Sequence, residues 1–339
     1  MRKFSLIIAA FAVLLLAGCG QPARQTAAVG AEATLAATAT PAPTASPIPT
    51  ATPAPTPEPT ATPVPTPFTI ALFPDTQASA YHEPKALEAM GKYIADHAAA
   101  DNIVYVLHEG DLVDNGFADW QWKNFYLAYD QFADIVPFFP VAGNHDLGIK
   151  ARQWDGYLAQ PCVQDAAPDE QQFEDGKAAY ITFNAGGTDF LVVGVGYSAE
   201  EASAAWVRDV FEKYPDHYGI LLCHGYLHGR GELLEYGPVL YEQVVSRCSN
   251  LRLVLCGHFR GTFYREDGFD DDGDGTMDRT VRAMLCNYQG YKRNGGQIRL
   301  LTFDPADRSV SVQTFSTLTG HPMRDDYFKN SVFRLENVF

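Results

Sequence analysis

The sequence has little positive charge for its size. Its 339 residues include 25 Lys plus Arg and 41 Asp plus Glu, which gives a formal net charge of −16. Proteins that bind nucleic acid or anionic lipid need clustered Lys and Arg, so this deficit argues against a nucleic-acid-binding surface and a cationic membrane-binding face. Phosphorylated substrates remain compatible with it, because bound metal ions can supply positive charge.

Cysteine is also scarce, and the motifs of two common enzyme classes are absent. Five cysteines follow the N-terminal region, at positions 162, 223, 248, 256 and 286, and they do not have zinc-finger spacing. An odd number leaves at least one thiol free even in an oxidising compartment. The chain contains neither the Gly-x-Ser-x-Gly elbow of a serine hydrolase nor a P-loop.

No apolar run reaches the roughly 20 residues of a membrane-spanning helix. The run at residues 4–16 follows Arg2 and Lys3 and ends in Leu-Ala-Gly-Cys, with the cysteine at position 19. This pattern predicts a signal peptide over residues 1–18. The ending resembles the bacterial lipobox, which implies lipidation of Cys19 and an exported protein anchored to the outer face of a bacterial membrane. An ordinary cleaved signal with a chance cysteine is the alternative.

Proline is concentrated in one segment. Eleven of the 22 prolines lie between Pro41 and Pro67, among Thr and Ala residues that can bury almost no apolar surface. Such a composition favours extended, polyproline-like chain without a packed core. We therefore expect a lipid-anchored, Pro/Thr-rich disordered linker over residues 19–67, and a folded domain over residues 68–339.

Strands and helices alternate after position 68, and only strands follow position 256. Strands are predicted at residues 68–73, 103–107, 138–141, 179–184, 189–195, 218–223, 251–256, 263–265, 281–287, 297–303 and 309–315. Helices are predicted at residues 83–99, 118–133, 199–214 and 232–247. This order predicts an α/β domain with two packed mixed sheets and helices outside them.

Polar residues follow five of these strands directly. Loops at the carboxyl ends of parallel strands meet in one crevice, where ligands bind. Asp, Asn, Gln and His together are suitable ligands for Mn, Fe or Zn. The clusters are Asp75-Thr76-Gln77, Gly110-Asp111-Leu112-Val113-Asp114, Gly143-Asn144-His145-Asp146, Cys223-His224-Gly225 and Cys256-Gly257-His258.

In this order the clusters resemble the pattern of the calcineurin-like metallophosphoesterases. That pattern is Asp-x-His, Gly-Asp-x-x-Asp, Gly-Asn-His-Asp or -Glu, a lone His, and Gly-His-x-His. Here it extends from Asp75 to Arg260. The resemblance implies a four-layer αββα sandwich and a metal-dependent phosphoric ester hydrolase with one or two divalent ions of Mn, Fe or Zn.

The resemblance also implies roles for single residues. Asp111 would bridge two metal ions. The ligands that complete one ion would be Asn144, His224 and His258, and those of the other would include Asp75 and Gln77. His145 would donate a proton or hydrogen bond to the leaving oxygen or the transition-state phosphoryl group, with Asp146 and Asp114 orienting it. The nucleophile would be a metal-bound hydroxide.

Two departures from the pattern affect the same metal ion. Gln77 replaces a His, and its amide oxygen is a weaker ligand. Arg260 replaces the second His of Gly-His-x-His, and a guanidinium has no lone pair to donate to a metal. Three alternatives follow for Arg260: it contacts a substrate phosphate in a catalytic role, it turns aside while water completes a weaker second metal, or it forms a salt bridge with Asp75 in a site without catalysis.

A second acidic pattern lies after the last cluster. Asp270, Asp272 and Asp274 fall at alternate positions and are followed by Gly275 and Asp278, which resembles the first part of an EF-hand loop. Val281 occupies the place of the bidentate Glu, so a true EF-hand is not expected. A hairpin with a structural calcium ion and a solvated acidic turn are the two alternatives.

Together these patterns predict an extracytoplasmic, monomeric phosphoesterase that hydrolyses a phosphomono- or phosphodiester. Its partners would be a phosphorylated small-molecule or envelope substrate and, through Cys19, the membrane. Tyr288, Gln289 and Tyr291 are candidates either for a substrate pocket or for core packing. The alternative function is a non-catalytic surface module that binds metal and phosphate. His145 favours the enzyme, and Arg260 favours the module.

Overall fold

The computed structural model describes residues 65–148, 154–289, 295–323 and 329–339. The predicted signal peptide, Cys19 and all but the last three linker residues lie outside the described residues. Within those ranges, no helix has both the length and the apolar character needed to cross a membrane.

The described residues form thirteen strands and seven α-helices. The strands are β1 (Phe68–Phe73), β2 (Ile103–His108), β3 (Phe138–Pro140), β4 (Gln172–Phe173), β5 (Ala178–Ala185), β6 (Thr188–Val195), β7 (Tyr218–Cys223), β8 (Leu251–Cys256), β9 (Gly261–Phe269), β10 (Arg279–Asn287), β11 (Gln297–Asp304), β12 (Ser309–Ser316) and β13 (Val332–Leu335). The helices are α1 (Gln77–His82), α2 (Pro84–His97), α3 (Asp119–Phe132), α4 (Trp154–Leu158), α5 (Pro161–Gln164), α6 (Glu200–Lys213) and α7 (Gly237–Leu240).

The strands form two mixed sheets. One has the order β13-β12-β11-β1-β2-β3, in which β1, β2 and β3 are parallel and β11 to β13 are antiparallel. The other has the order β4-β5-β6-β7-β8-β10-β9, in which β6, β7, β8 and β10 are parallel. In each sheet, the loops that contain the polar clusters therefore follow the carboxyl ends of parallel strands.

The two sheets pack face to face, with helices outside them. The core between the sheets includes Phe68 and Phe303, whose rings stack at 5.1 Å between centroids, and Phe190 of the facing sheet. Alternate residues of β1 point outward to a second core beneath α2 and α3, so this strand is buried on both faces. A third core lies beneath α6. The predicted αββα sandwich is confirmed.

The prediction of a helix over residues 232–247 was wrong in its first part. Leu233 pairs with Leu227 in an isolated β-bridge, and Glu235 has a left-handed φ of 47°. The helix α7 begins only at Gly237 and carries Pro238 in its first turn, where a missing N–H costs nothing. A helix that started at position 232 would have needed that N–H as a donor.

Candidate metal centre

The five polar clusters meet where the carboxyl ends of strands from both sheets come together. Asp75, Asp111 and Asn144 follow β1, β2 and β3, which are neighbours in the first sheet. His224 and His258 follow β7 and β8, which are parallel neighbours in the second sheet. The packing of the two sheets therefore brings together residues up to 183 positions apart in the sequence, as in the bond from the His258 N–H to Asp75.

Four side chains converge at the centre of this site. His224 Nε2 lies 3.0 Å from Asn144 Oδ1, 3.1 Å from His258 Nδ1 and 3.3 Å from Asp111 Oδ2. Asn144 Oδ1 also lies 2.9 Å from His258 Nδ1. Ligand atoms of Asp111, His224 and His258 all lie within 4.8 Å of one another. Two oxygens and two imidazole nitrogens at this separation suit a divalent transition metal.

The electrostatics of this group also favour a cation. His224 is fully buried, and burial alone would lower its pKa. The carboxylates of Asp111 and Asp75 outweigh burial and raise the pKa of His224 to about 10. The acidic side chains around His224 therefore favour a positive charge at this buried position.

Asp75 and Gln77 lie beside Asp111, on the side predicted for a second metal ion. Gln77 Nε2 donates to Asp111 Oδ2 at 2.7 Å, and the buried Gln77 Oε1 has no hydrogen-bond partner among the described residues. Asp75 accepts from the His258 N–H at 3.2 Å and from Gln289 Nε2 at 3.3 Å. Burial raises the pKa of Asp75 to about 8, and the nearby Asp111 contributes. An oxygen without a partner next to two carboxylates fits a cation here as well.

Arg260 does not contribute to this second group. Its side chain is exposed, and it makes no hydrogen bond or ion pair within the described ranges. The salt bridge to Asp75, one of the three alternatives from the sequence, is therefore not formed. Contact with a substrate phosphate and a water-completed second metal both remain compatible with this position.

At two positions around the site only glycine fits, because a carboxylate oxygen lies where a Cβ atom would be. A Cβ atom on Gly143 would lie 2.1 Å from Asp111 Oδ1, and one on Gly257 would lie 2.1 Å from Asp75 Oδ1. Side chains at these positions would displace both carboxylates. The glycines of the Gly-Asn-His-Asp and Gly-His sequences thus leave room for the acidic side chains.

His145 lies at the edge of the group with one ring nitrogen fixed. Its Nδ1 donates to the carbonyl oxygen of Asp114 at 2.9 Å and lies 3.2 Å from the Asp114 carboxylate. The ring is about 40% exposed, which leaves its Nε2 accessible to a ligand. Burial acts to lower the pKa of His145, but Asp111 and Asp114 raise it overall.

Among the described residues, no hydrogen bond joins Asp146 to the His145 ring. It is buried, and its two oxygens accept from the backbone N–H groups of Val113 and Gly143 at 3.0 and 2.9 Å. Burial raises its pKa to about 7, with Asp111 as a second cause. Asp146 therefore joins the loops after β2 and β3, and its predicted role in orienting His145 for catalysis stays a prediction.

Two acidic residues that the sequence motifs did not include lie next to the predicted metal ligands. Glu109 is fully buried, its carbonyl oxygen accepts from His224 Nδ1 at 2.8 Å, and its carboxyl group accepts from the Cys286 thiol at 3.1 Å. Its position directly before Gly110-Asp111 was a usable signal. Glu235 lies 3.4 Å from His258 Nε2, and no motif marked it.

The acidic loop between β9 and β10 is separate from this centre. Carboxylate oxygens of Asp270, Asp272 and Asp278 lie within 4.8 Å of one another, and all three residues are exposed. Asp274 is not part of that group, and its carboxylate accepts from the Thr276 N–H at 2.7 Å. The carboxylates also cap backbone N–H groups of the loop, as in a solvated turn. A calcium ion here stays a prediction.

The other candidates have structural surroundings. Tyr288 is buried and bonds to Ser331 at 2.7 Å, which favours core packing, whereas Gln289 contacts Asp75. Tyr291 lies outside the described residues. The five cysteines after position 100 are buried and free of disulfides.

Comparison with known proteins supports the same interpretation. The sequence pattern of the family described as calcineurin-like phosphoesterase matches residues 68–259. A stretch of 254 residues is 32% identical to the uncharacterized protein YvnB of Bacillus subtilis (strain 168). That match covers 74% of this chain and 20% of YvnB, so the chain spans about a fifth of that relative. The purple acid phosphatase PPD1 from yellow lupin (Lupinus luteus) seeds has a similar fold, with a TM-score of 0.53 and 13% identity over 80% of this chain and 54% of PPD1.

Proposed function

The chain belongs to the calcineurin-like phosphoesterase family, and we propose that it is an extracytoplasmic enzyme that hydrolyses a phosphomono- or phosphodiester. The observation that carries this proposal is the convergence of Asp111, Asn144, His224 and His258 beside the accessible ring of His145. A metal site with a proton donor at its edge has the parts that phosphoester hydrolysis needs.

We assign the metal ligands from the geometry around Asp111. Asp111, Asn144, His224 and His258 would hold one ion, and Asp75, Gln77 and Asp111 would hold a second one more weakly, because Arg260 cannot complete its coordination. A bound divalent ion would lower the pKa of a coordinated water and neutralise charge on the phosphoryl oxygens. Mn, Fe and Zn are the metals that this donor set suits.

His145 would act on the leaving oxygen. Its Nδ1 is occupied by the Asp114 carbonyl oxygen, so Nε2 is the atom that can carry a proton towards substrate. Proton donation in the transition state avoids the release of an unstabilised alkoxide. The Asp114 carboxylate beside the ring stabilises the protonated form that this role requires.

We further propose that the enzyme is exported and held at the outer face of a bacterial membrane through a lipid on Cys19. The signal-like sequence before Cys19 and the Pro/Thr-rich segment after it support this location. Its substrate would then be a phosphorylated small molecule or a phosphoester of the cell envelope.

The proposed activity can be tested with a generic phosphodiester, bis(p-nitrophenyl) phosphate. We expect hydrolysis by the chain supplied with Mn²⁺, loss of hydrolysis after treatment with a chelator, and recovery when Mn²⁺ is returned. A metal analysis of the same protein should find one or two transition-metal ions per chain. A chain that binds no Mn²⁺, Fe²⁺ or Zn²⁺ would disprove the metal-dependent activity.

A non-catalytic module that binds metal and phosphate is the second candidate, and Arg260 is the observation that favours it. Arg260 is exposed and lies two residues after His258, and a guanidinium can hold a phosphate group in a bidentate hydrogen bond without any reaction. Metal binding and phosphate binding without turnover on any phosphoester would support this candidate.

Arg260→Ala separates the two alternatives left for this residue. If Arg260 contacts a substrate phosphate, we expect KM for the phosphodiester to rise about 10- to 100-fold, because a charge-assisted hydrogen bond contributes roughly 1.5–3 kcal/mol. Steady-state kinetics at saturating Mn²⁺ would measure this effect, with Arg208→Ala on α6 as the control. Unchanged kcat and KM would show that Arg260 does not contact the phosphate.

A further inference from the structure

His224 and His258, two of the predicted metal ligands, direct different ring nitrogens towards the centre of the site. His224 points Nε2 towards Asn144, Asp111 and His258. His258 points Nδ1 towards the same group, where it lies 2.9 Å from Asn144 Oδ1. A neutral imidazole offers a lone pair on only one nitrogen, so each ring must keep its proton on the nitrogen that faces away from the ion.

Each outward nitrogen faces an acceptor, but the two acceptors differ. His224 Nδ1 donates to the backbone carbonyl oxygen of Glu109 at 2.8 Å. His258 Nε2 lies 3.4 Å from the carboxylate oxygen Oε1 of Glu235. A backbone acceptor cannot be removed by substitution, whereas the carboxylate of Glu235 can.

The loop after β7 holds Glu235 in this position. Leu227 and Leu233 pair in a short bridge, and the Leu234 N–H donates to the carbonyl oxygen of Tyr226 at 2.8 Å. Glu235 itself has a left-handed φ of 47°, and α7 begins two residues later. A non-glycine residue in this conformation costs free energy, and such strain is maintained only where the surroundings require the geometry.

Tyr197 lies beside both His258 and Glu235. Its ring lies 5.6 Å from the His258 ring at an interplanar angle of 33°, which limits the ring's rotation. A Cβ atom on Gly225 would lie 4.0 Å from Glu235 Oε2, 4.0 Å from Tyr197 Cε2 and 3.9 Å from His258 Cδ2, so the three side chains lie around one point. The backbone of His258 is fixed separately, because its N–H donates to Asp75 and its carbonyl oxygen accepts from Asn287.

We propose that Glu235 is a positioning residue for the metal site, because its carboxylate accepts a hydrogen bond from the Nε2–H of His258 and so keeps the Nδ1 lone pair available for a divalent ion. The Tyr197 ring, which lies beside the His258 ring, helps to keep His258 oriented towards the Glu235 carboxylate. The inference rests on the proposed metal-dependent function and adds to it a residue outside the family motifs. Loss of a carboxylate that orients a ligating histidine in this way typically weakens metal affinity 10–100-fold.

The test measures Mn²⁺ affinity by isothermal titration calorimetry on the purified chain. Glu235→Ala should weaken binding about 100-fold and Glu235→Gln about 10-fold, because the amide oxygen of Gln still accepts a hydrogen bond but carries no charge. Tyr197→Phe, which retains the ring and loses the hydroxyl, should weaken binding by less than about 10-fold. At saturating Mn²⁺ we expect kcat of Glu235→Ala to recover to near that of the unmodified chain.

Glu232→Ala is a matched control in the same loop. Glu232 lies 3.7 Å from His228 Nδ1, but His228 is not near the predicted ligands in any contact described. We expect this variant to bind Mn²⁺ with unchanged affinity.

The possible outcomes separate the inference from the function on which it rests. A folded Glu235→Ala protein with unchanged Mn²⁺ affinity would overturn the inference and leave the proposed function intact. If the unmodified chain binds no Mn²⁺, both fail. If Glu235→Ala does not fold, as judged by circular dichroism without metal, Glu235→Gln decides: an affinity about 10-fold weaker supports the inference, and an unchanged one overturns it.

Discussion

Asp111→Asn is expected to lower the affinity for Mn²⁺ by more than about 100-fold, beyond the effect of losing an outer hydrogen-bond partner. Asp111 is the one carboxylate shared by both groups of ligands, since it lies beside His224 and also accepts from Gln77. Asn keeps the size of the side chain and tolerates the left-handed φ of 54° at this position. The variant therefore removes the negative charge without forcing the loop to move.

Calorimetric Mn²⁺ titration and hydrolysis of bis(p-nitrophenyl) phosphate would measure the effect of Asp111→Asn. Asp189→Asn is a suitable control, because Asp189 is an exposed residue of the β5–β6 hairpin that bonds to Asn184. If Asp111→Asn binds Mn²⁺ and turns over like the unmodified chain, the metal does not bind at the site proposed here.

His145→Ala is expected to lower kcat by about 10²–10⁴ for a phosphodiester with an alkyl leaving group, while Mn²⁺ affinity stays within a few fold. The reason is that an alkoxide needs a proton as it leaves. The p-nitrophenolate group is stable without one, so the loss of kcat with bis(p-nitrophenyl) phosphate should be much smaller. Comparing the two substrates therefore tests the position of the proton rather than activity alone.

Other results for His145→Ala would lead to different conclusions. Equal losses with both leaving groups would mean that His145 stabilises the transition-state phosphoryl group, which was the other role implied by the sequence resemblance. A change in the alkyl substrate of less than a few fold would remove His145 from the reaction. The non-catalytic module would then gain support, because the accessible ring is the main feature that favours an enzyme.

The strands next to the site were predictable because they consist mostly of apolar residues. β1, β7 and β8 have the bounds predicted from sequence, and they are almost entirely buried. Strands covered on both faces become continuous apolar runs, which are easy to recognise between polar loops. The same local contrast made the clusters around Asp75, Asp111 and His224 visible.

Acidic residues near the site were harder to predict, because their roles come from contacts over long sequence distances. Glu109 supports His224 through its carbonyl oxygen, 115 residues away in the chain. Residues 232–236 have a composition suitable for a helix, yet the β-bridge between Leu227 and Leu233 and the turn at Glu235 replace it. Tertiary contacts therefore outweighed local helix propensity in that loop.

The sequence by itself determined the family, the αββα class and the polar clusters that follow the strands, because apolar strands and the polar residues at their ends are local features of the chain. Only the tertiary structure showed that Asp146 joins two loops, that Arg260 stays exposed without a partner within the described residues, and that Glu235 lies against His258. These facts depend on which nitrogen or oxygen faces which neighbour. That arrangement is decided by the packing of two sheets whose strands are far apart in the sequence.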